Sequence, residues 1–420
     1  MIQQLAIVTP ALALLALTPA AYSAETFTEA LTDGKTTGSV YYRNEIVKES
    51  NAPREVGRAH TVQVRLGYET GQIYGFGAKV EAEHVTALGP NDYNSLANGK
   101  TQYSVVADPE FTEFDQAYLS YSGIEKTNIK VGRQRLALDN HRFIGDVPWR
   151  QNYQTLDAVS VVNESLPQTK VTLAYVGNVN RVTSDNAIAQ VGPAAGNLKM
   201  NSPLLNVNYK GFGFGEIVGY GYLLDINKPV AASNFNSNKT YGLRLKGKEP
   251  LGDNTLLYTA EYATQSNYAN NPATYNVKYH LLEGVVDFKI ADFELAREVL
   301  GGNGQNSFST PLSTLHAFNG WVDMFLVQTP VNGLVDAYAS AGTALDGYKF
   351  VVIYHDFRAD LGGAKYGTEL NAQVTKTFDK KYVAGIKYGR FYTSKVGTST
   401  SNVLGQVDTD KFWFWLSASL

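Results

Sequence analysis

Apolar and polar residues alternate along almost the whole of this chain. Val62, Val64, Leu66 and Tyr68 alternate with Thr61, Gln63, Arg65, Gly67 and Glu69. Tyr74, Phe76, Ala78, Val80 and Ala82 alternate with Gly75, Gly77, Lys79, Glu81 and Glu83. The same rhythm recurs at Tyr241–Lys246, Lys365–Val374 and Tyr382–Gly389. A period of two is the signature of strands with one apolar face, and no 3.6-residue stripe competes with it. The predicted strands run 37–47, 57–69, 72–84, 112–122, 126–135, 153–163, 168–179, 197–210, 214–226, 237–248, 252–265, 276–288, 291–301, 331–341, 345–358, 363–376, 380–394 and 408–420. Their lengths suit the ~9–11 residues of a tilted strand that crosses a bilayer.

The connections alternate as well. Short gaps hold Thr70-Gly71, Ser122-Gly123, Glu164 to Pro167, Gly211 to Gly213, Leu251, Ile290, Gly342 and Asp379. Long ones cover 85–111, 136–152, 180–196, 227–236, 266–275, 302–330 and 395–407, while 359–362 is short. Short turns on one rim and long loops on the other describe an outer-membrane barrel. Two details separate this from a soluble sandwich. Tyr74, Tyr366, Tyr382 and Tyr388 sit at the ends of apolar faces, where interfacial girdles lie. The opposite faces mix Gly, Lys, Arg, Glu, Asn and Gln, which a wet lumen tolerates and a packed core does not. The expectation is an all-β transmembrane antiparallel β-barrel of about 18 strands, with 16 as the alternative.

Both ends of the chain fit. Lys411 to Leu420 reads as a strand, with Phe412, Phe414, Leu416, Ala418 and Leu420 on one face. Such a strand needs a partner on each edge and lipid on one side. It is also the segment that barrel-assembly machinery would engage. Leu5 to Leu17 is apolar apart from Thr9 and Pro10, and Ala21-Tyr22-Ser23 follows with small residues at both ends. That is a secretory signal, too short to span, although no Lys or Arg precedes it. Residues 1–23 are therefore expected to be removed, by cleavage after 23 or 24, leaving 24–420 as a single barrel domain. The stretch 24–36 reads as a polar lead-in.

Composition narrows the chemistry. The 420 residues include no Cys, so neither disulfides nor Cys-ligated zinc contribute. A net charge of −3 offers no basic field for nucleic acid. Mean hydropathy is −0.21, as expected when half of each strand faces water. No nucleophile elbow, zinc-protease helix motif or phosphate loop occurs, and the six His are scattered. No enzyme, metal or cofactor is expected. By parity Arg43, Arg65, Lys79, Lys130, Arg244, Lys246, Lys349, Lys365 and Lys387 point into the lumen. So do Glu45, Glu69, Glu81, Glu83, Glu261, Glu283, Asp287, Asp336 and Glu369. They either pair across strands or set the pore field, and neither sign dominates. Arg297 falls outward between Leu295 and Val299, where a charge at the bilayer midplane costs ~2–4 kcal/mol and less near the rim.

Loops of ~20 or more residues with apolar anchors usually carry function. The segment 136–151 holds Arg142, Trp149 and Arg150. The segment 302–330 holds His316, Phe318 and Trp321. Both are expected to shape a constriction or to cap the mouth.

The same segments carry a resemblance. Val131-Gly-Arg-Gln-Arg-Leu, Leu138-Asp-Asn-His-Arg-Phe-Ile-Gly, Trp149-Arg-Gln-Asn and Thr155-Leu-Asp-Ala-Val look like the alginate-export type of outer-membrane porin. So do Thr310-Pro-Leu-Ser-Thr-Leu-His-Ala-Phe-Asn-Gly-Trp and Asn332-Gly-Leu-Val-Asp-Ala-Tyr. The resemblance implies an eighteen-strand barrel and a transport role in the outer membrane of a Gram-negative bacterium. The lumen here departs from the strongly basic pore that an alginate conduit needs, so the polysaccharide is not carried over. The leading reading is a channel for small hydrophilic solutes. The alternatives are a specific channel for an anionic sugar or polysaccharide, and an outer-membrane enzyme or surface-binding protein. Expected partners are outer-membrane lipid and lipopolysaccharide and small solutes, with the chain as monomer or homotrimer.

Overall fold

In the computed structural model, residues 24–227, 236–326, 329–397 and 402–420 are described. Residues 1–23, read above as an expected signal, lie outside them. Eighteen strands follow one short helix, α1 (Phe27–Thr32). The strands are β1 (Lys35–Glu49), β2 (Gly57–Glu69), β3 (Phe76–Ala87), β4 (Phe111–Tyr121), β5 (Thr127–Gln134) and β6 (Thr155–Asn163). Next come β7 (Thr169–Asn180), β8 (Asn197–Phe212), β9 (Gly215–Leu224), β10 (Asn238–Leu251), β11 (Asn254–Asn267) and β12 (Asn276–Asp287). The last are β13 (Ala291–Leu300), β14 (Leu334–Leu345), β15 (Tyr348–Arg358), β16 (Lys365–Phe378), β17 (Tyr382–Thr393) and β18 (Thr409–Ser419).

Each strand pairs antiparallel with the next, and β1 pairs with β18 from Ser39↔Ser419 to Glu49↔Thr409. The sheet is therefore closed and no edge meets lipid. The Leu420 N–H donates to the Gly38 carbonyl at 2.9 Å, which ties the last residue to the first strand.

Period two sorts the side chains as expected. On β2, Val64 and Leu66 are exposed outward, while Thr61, Gln63 and Arg65 are buried inward. On β17, Ile386 and Tyr388 face out and Lys387 is buried inside. On β18, Phe412 and Leu416 face out, and Trp413 and Trp415 are buried. Gly385 makes room for this last pair, because a Cβ there would collide with the Trp415 ring.

Four local expectations need correction. The lead-in forms α1, with a Thr26–Glu29 capping box, and packs against the β2–β3 turn through the Gly71 N–H to Ala30 carbonyl bond at 2.8 Å. Tyr74 lies in that turn at a φ of 50°, so β3 begins only at Phe76. The β14–β15 turn is Asp346-Gly347 rather than Gly342. Both residues have positive φ (51° and 80°), which is the type I′ conformation that Asp-Gly favours in hairpins. The fourth is at the start of β16, where the ladder is irregular at Phe357/Arg358. Tyr366 turns inward against Phe325, and its hydroxyl donates to the Gly333 carbonyl at 3.1 Å. Lys365, expected in the lumen, instead sets its amino group 3.3 Å from Asp356, an outward position of β15.

The β1–β18 seam generates a prediction. Deleting Phe414–Leu420 strips pairing from both β1 and β17 within lipid. The truncated protein should give no folded, heat-modifiable band on a detergent gel, whereas Leu420→Phe should fold normally.

Candidate functional site

Both long loops of the lumen fold inward and meet there. Loop 135–154, between β5 and β6, crosses the barrel. Loop 301–333, between β13 and β14, lies beside it through an Ile144–Leu312 bridge. The Gly145 N–H donates to the Leu312 carbonyl (2.8 Å) and the Thr314 N–H to the His141 carbonyl (3.0 Å). Gln154 donates to both the Gly145 and Leu312 carbonyls, at 2.8 and 3.1 Å.

Apolar anchors fix the far end of loop 135–154. Phe143 packs on Tyr220, Tyr279 and Phe308, with ring centroids 5.3 to 5.8 Å apart. The near end of loop 301–333 is fixed by Phe325 against Phe357 and Tyr366. Between them the attachments are ionic. Arg142 donates to both carboxylate oxygens of Glu298, at 2.7 and 3.2 Å, and to Asn319 at 2.9 Å, with Phe318 stacked over it at 4.6 Å. Arg150 bridges Glu45 on β1 (2.9 Å) and Asp323 on the other loop (3.2 Å). Arg43 reaches Asp108 and the Trp149 carbonyl. The Val322 N–H donates to Glu369 at 2.9 Å. Gly320, at a φ of 83°, brings the chain up to that carboxylate where a Cβ would collide with it. Bidentate and charge-assisted bonds of this kind are strong, and they offset the desolvation of the ions they bury.

An aromatic box lies at the centre. His316 stacks on Trp149 at 4.5 Å and 4°, and Trp413 and Trp415 meet Trp149 edge-on. The Lys387 ammonium sits 3.7 Å from the Trp149 ring and 4.2 Å from the Trp321 ring. It also lies 3.1 Å from His316 Nε2. Asp323 takes the other side of His316 at Nδ1 (2.8 Å) and the Lys411 ammonium at 2.8 Å. Burial pushes the His316 imidazole far down, to about 3. Against the same burial, Lys411, His316 and Arg150 hold the Asp323 carboxyl below its ordinary range. His316 is thus neutral, joining Lys387 to Asp323.

The sequence-predicted residues divide into those locked in this plug and those below it. Arg142, Trp149, Arg150, His316, Trp321, Arg43, Glu369 and Lys387 are buried in or against it, and Phe318 is half-buried at its surface. Arg65 and Glu81 are buried in a separate cluster with Glu83, Asp115 and Arg135. Arg244 pairs with Glu261 at 2.9 Å. Lys79, Lys130, Lys246 and Glu283 are half-buried and Lys349 is exposed, all towards the short-turn rim of the lumen. Charge is sorted around the wall. The inward ionisable residues of β11 to β14 are Glu261, Glu283, Asp287, Asp292, Glu294, Glu298 and Asp336, all acids, while Lys79, Lys130 and Lys246 lie on β3, β5 and β10. Parity locates each of these side chains but does not say which share a wall. Asp108 and Asp323 were not foreseen, because a loop carboxylate has no period to betray it.

All four tryptophans of the chain belong to the central box, so intrinsic fluorescence reports on the plug. Below pH ~6.5 the unfolded chain protonates its His316, whereas the native imidazole resists until about 3. The unfolded state then binds more protons, so stability present at neutral pH is lost as the pH falls through this window, by about 2 kcal/mol at pH 5. Acidification from pH 7 to 5 should lower the thermal midpoint read by tryptophan emission. His316→Gln should flatten that dependence; an unchanged slope would remove His316 from the explanation.

Comparison with known proteins agrees with this architecture. The crystal structure of Pseudomonas aeruginosa OpdK with vanillate superposes with a TM-score of 0.70 at 12% identity, covering 93% of this chain and 99% of that one. Acinetobacter baumannii OccAB2 gives 0.73 at 12% identity, with the same coverage of 93% and 99%. Pseudomonas aeruginosa OccK9 (OpdG) gives 0.70 at 10%, again with 93% and 99%. At such identities the likeness is one of fold. No curated protein matches the sequence. The alginate-export family matches residues 42–390, and the chain belongs to that family as a β-barrel channel of the bacterial outer membrane.

Proposed function

We propose that this channel passes small hydrophilic solutes through narrow gaps beside the plug, and that it is not a conduit for a polysaccharide. The observation that carries this reading is the plug itself. It is bonded to β1, β11, β13, β14, β16, β17 and β18 by Arg150, Gln265, Arg142, Asn319, Glu369, Lys387 and Lys411. A polymer that threads the barrel would have to break these contacts together. The acidic wall of β11 to β14 argues the same way against a polyanion, which it would repel.

The same reading extends to the rest of the chain. The barrel acts without a cofactor and has no catalytic role. Residues 1–23 are its export signal, and β18 is the strand that the assembly machinery handles. The path runs past Phe318 at the edge of the plug and past Lys79, Lys130, Glu283 and Lys349 at the short-turn end of the lumen.

Liposome swelling tests the size limit. Permeation should fall steeply from monosaccharide to trisaccharide, and an oligouronate should not enter. Entry of an oligouronate as fast as a disaccharide would overturn the proposal. Charge reversal tests the path. Lys79→Glu and Lys130→Glu should raise cation over anion permeability roughly twofold, read as a reversal potential in a salt gradient. Lys387→Glu should act differently. It places an acid beside Glu45 and Asp323 inside the box, and should raise conductance by loosening the plug.

A further inference from the structure

Arg297 lies on the lipid-facing surface of the sheet, and it is not alone. On β13 it follows the outward, exposed Phe293 and Leu295 and stands opposite Leu282 of β12. Two positions further up β12, His280 faces out diagonally from Arg297, and Lys278 follows it. Diagonal neighbours in an antiparallel pair are ~7–8 Å apart, within reach of long side chains. The charges of Lys278 and Arg297 both bear on the His280 imidazole. Tyr262 lies beside His280, with ring centroids 5.1 Å apart and planes tilted by 57°, at the level of the extracellular aromatic girdle.

The other charges near this patch belong mostly to the rim. Asp360 bears on His280 from the β15–β16 loop, where its carboxylate lies 3.4 Å from the Gly302 N–H. Asp356 of β15 is taken by Arg358 (2.7 Å) and Lys365 (3.3 Å). Neither Arg297 nor Lys278 has a carboxylate within 4.0 Å among the described residues. Cations therefore outnumber carboxylates here, at the depth where lipid headgroups begin.

The sheet beside the patch is shaped for a chain. Ala337 of β14 pairs with Arg297, Ala339 with Leu295 and Ala341 with Phe293. On the far side the same positions pair with Asp356, Tyr354 and Val352 of β15. A shallow apolar furrow thus descends from Arg297 between two bulky walls. It points away from the extracellular rim, as the acyl chain of an outer-leaflet lipid does. On the neighbouring strand β16, near the short-turn rim, the outward Lys376 is instead capped by the Tyr348 and Phe378 rings, at 3.9 and 5.4 Å. A cation without a protein partner, above a furrow, calls for a phosphate carried on an acyl chain.

We propose that Lys278, His280 and Arg297 form a binding site for the phosphates of lipid A, the glycolipid anchor of lipopolysaccharide, with one acyl chain in the furrow over β14. The guanidinium of Arg297 takes a phosphate through two N–H donors, and the Lys278 ammonium reaches it as a point charge. Lipid A presents phosphates with no counter-charge of their own, whereas the phosphodiester of zwitterionic phosphatidylethanolamine carries its own ammonium.

Native mass spectrometry of the full-length protein in detergent micelles tests the site. The probes are bisphosphoryl lipid A, monophosphoryl lipid A, phosphatidylethanolamine and cardiolipin. The parent should retain bisphosphoryl lipid A best, then the monophosphoryl form, and phosphatidylethanolamine least. The double variant Lys278→Gln, Arg297→Gln should lose at least fivefold in lipid A occupancy, with the control Lys376→Gln unchanged. Arg297→Lys keeps the charge and should keep at least half of the occupancy. Removing lipid-facing charges leaves every backbone pair intact, and heat-modifiability checks that the variants fold. Should the double variant not fold, the order of the probes on the parent still decides. Equal retention of phosphatidylethanolamine or cardiolipin would overturn the proposal, as would a folded double variant that binds lipid A like the parent.

Discussion

Closure between β1 and β18 is the constraint on which the structure depends. In hydrocarbon every backbone N–H and C=O must find a partner inside the protein, and a sheet meets this only by returning to its first strand. From Ser39↔Ser419 to Glu49↔Thr409 the seam is an unbroken ladder, as regular as the hairpins elsewhere. Closure then dictates the rest of the side-chain pattern. One face of every strand belongs to lipid and the other to an enclosed space. The outer face needs only to be apolar, and residues as different as Leu66, Ile386 and Leu416 serve equally there. All the chemistry is forced inward or onto the rims.

A closed barrel of this size encloses more space than its own side chains fill. The chain fills it with backbone from two loops. Loop backbone inside a barrel is costly unless its polar groups are paired. Gly145, Thr314 and Val322 show how this is met: each N–H finds an acceptor on the other loop or the wall. The charged attachments obey the same logic. An isolated Lys387 could not remain buried, but three indole rings, a neutral imidazole and the nearby carboxylates of Glu45 and Asp323 accept its field.

The strands were legible in the sequence because lipid and lumen impose opposite demands on adjacent residues. That contrast survives in every strand long enough to span, so period two together with the alternating connection lengths places the strands in order and brings the count to about the eighteen observed. It weakens at strand ends. There Tyr74 passes into a turn, and at the Phe357/Arg358 irregularity Tyr366 and Lys365 exchange faces. The site was legible only as a list of parts. Arg142, Trp149, Arg150, His316, Phe318 and Trp321 stand out as charged and aromatic residues in long loops, yet Glu298, Asp108 and Asp323, which hold them, have no distinguishing pattern. The sorting of charge around the wall escaped for a related reason. Asp287 faces Asp292, and Glu283 lies diagonal to Glu294, only once β12 is laid against β13.

Whether such a plug is a gate or a fixture depends on how its contacts are distributed. A gate pivots on one end while the other is held weakly. Here the ends carry the apolar anchors, Phe143 and Phe325, and the middle carries the ions. Releasing the middle takes Arg150 from Glu45, Arg142 and Asn319 from Glu298 and the Val322 N–H from Glu369, all of them buried carboxylates. Releasing an end exposes aromatic surface to the lumen. Neither loop can leave first, because Ile144 and Leu312 bind each to the other. The two loops therefore act as one body, with the Arg142–Glu298 pair buried inside it and Phe318 half-buried at its edge.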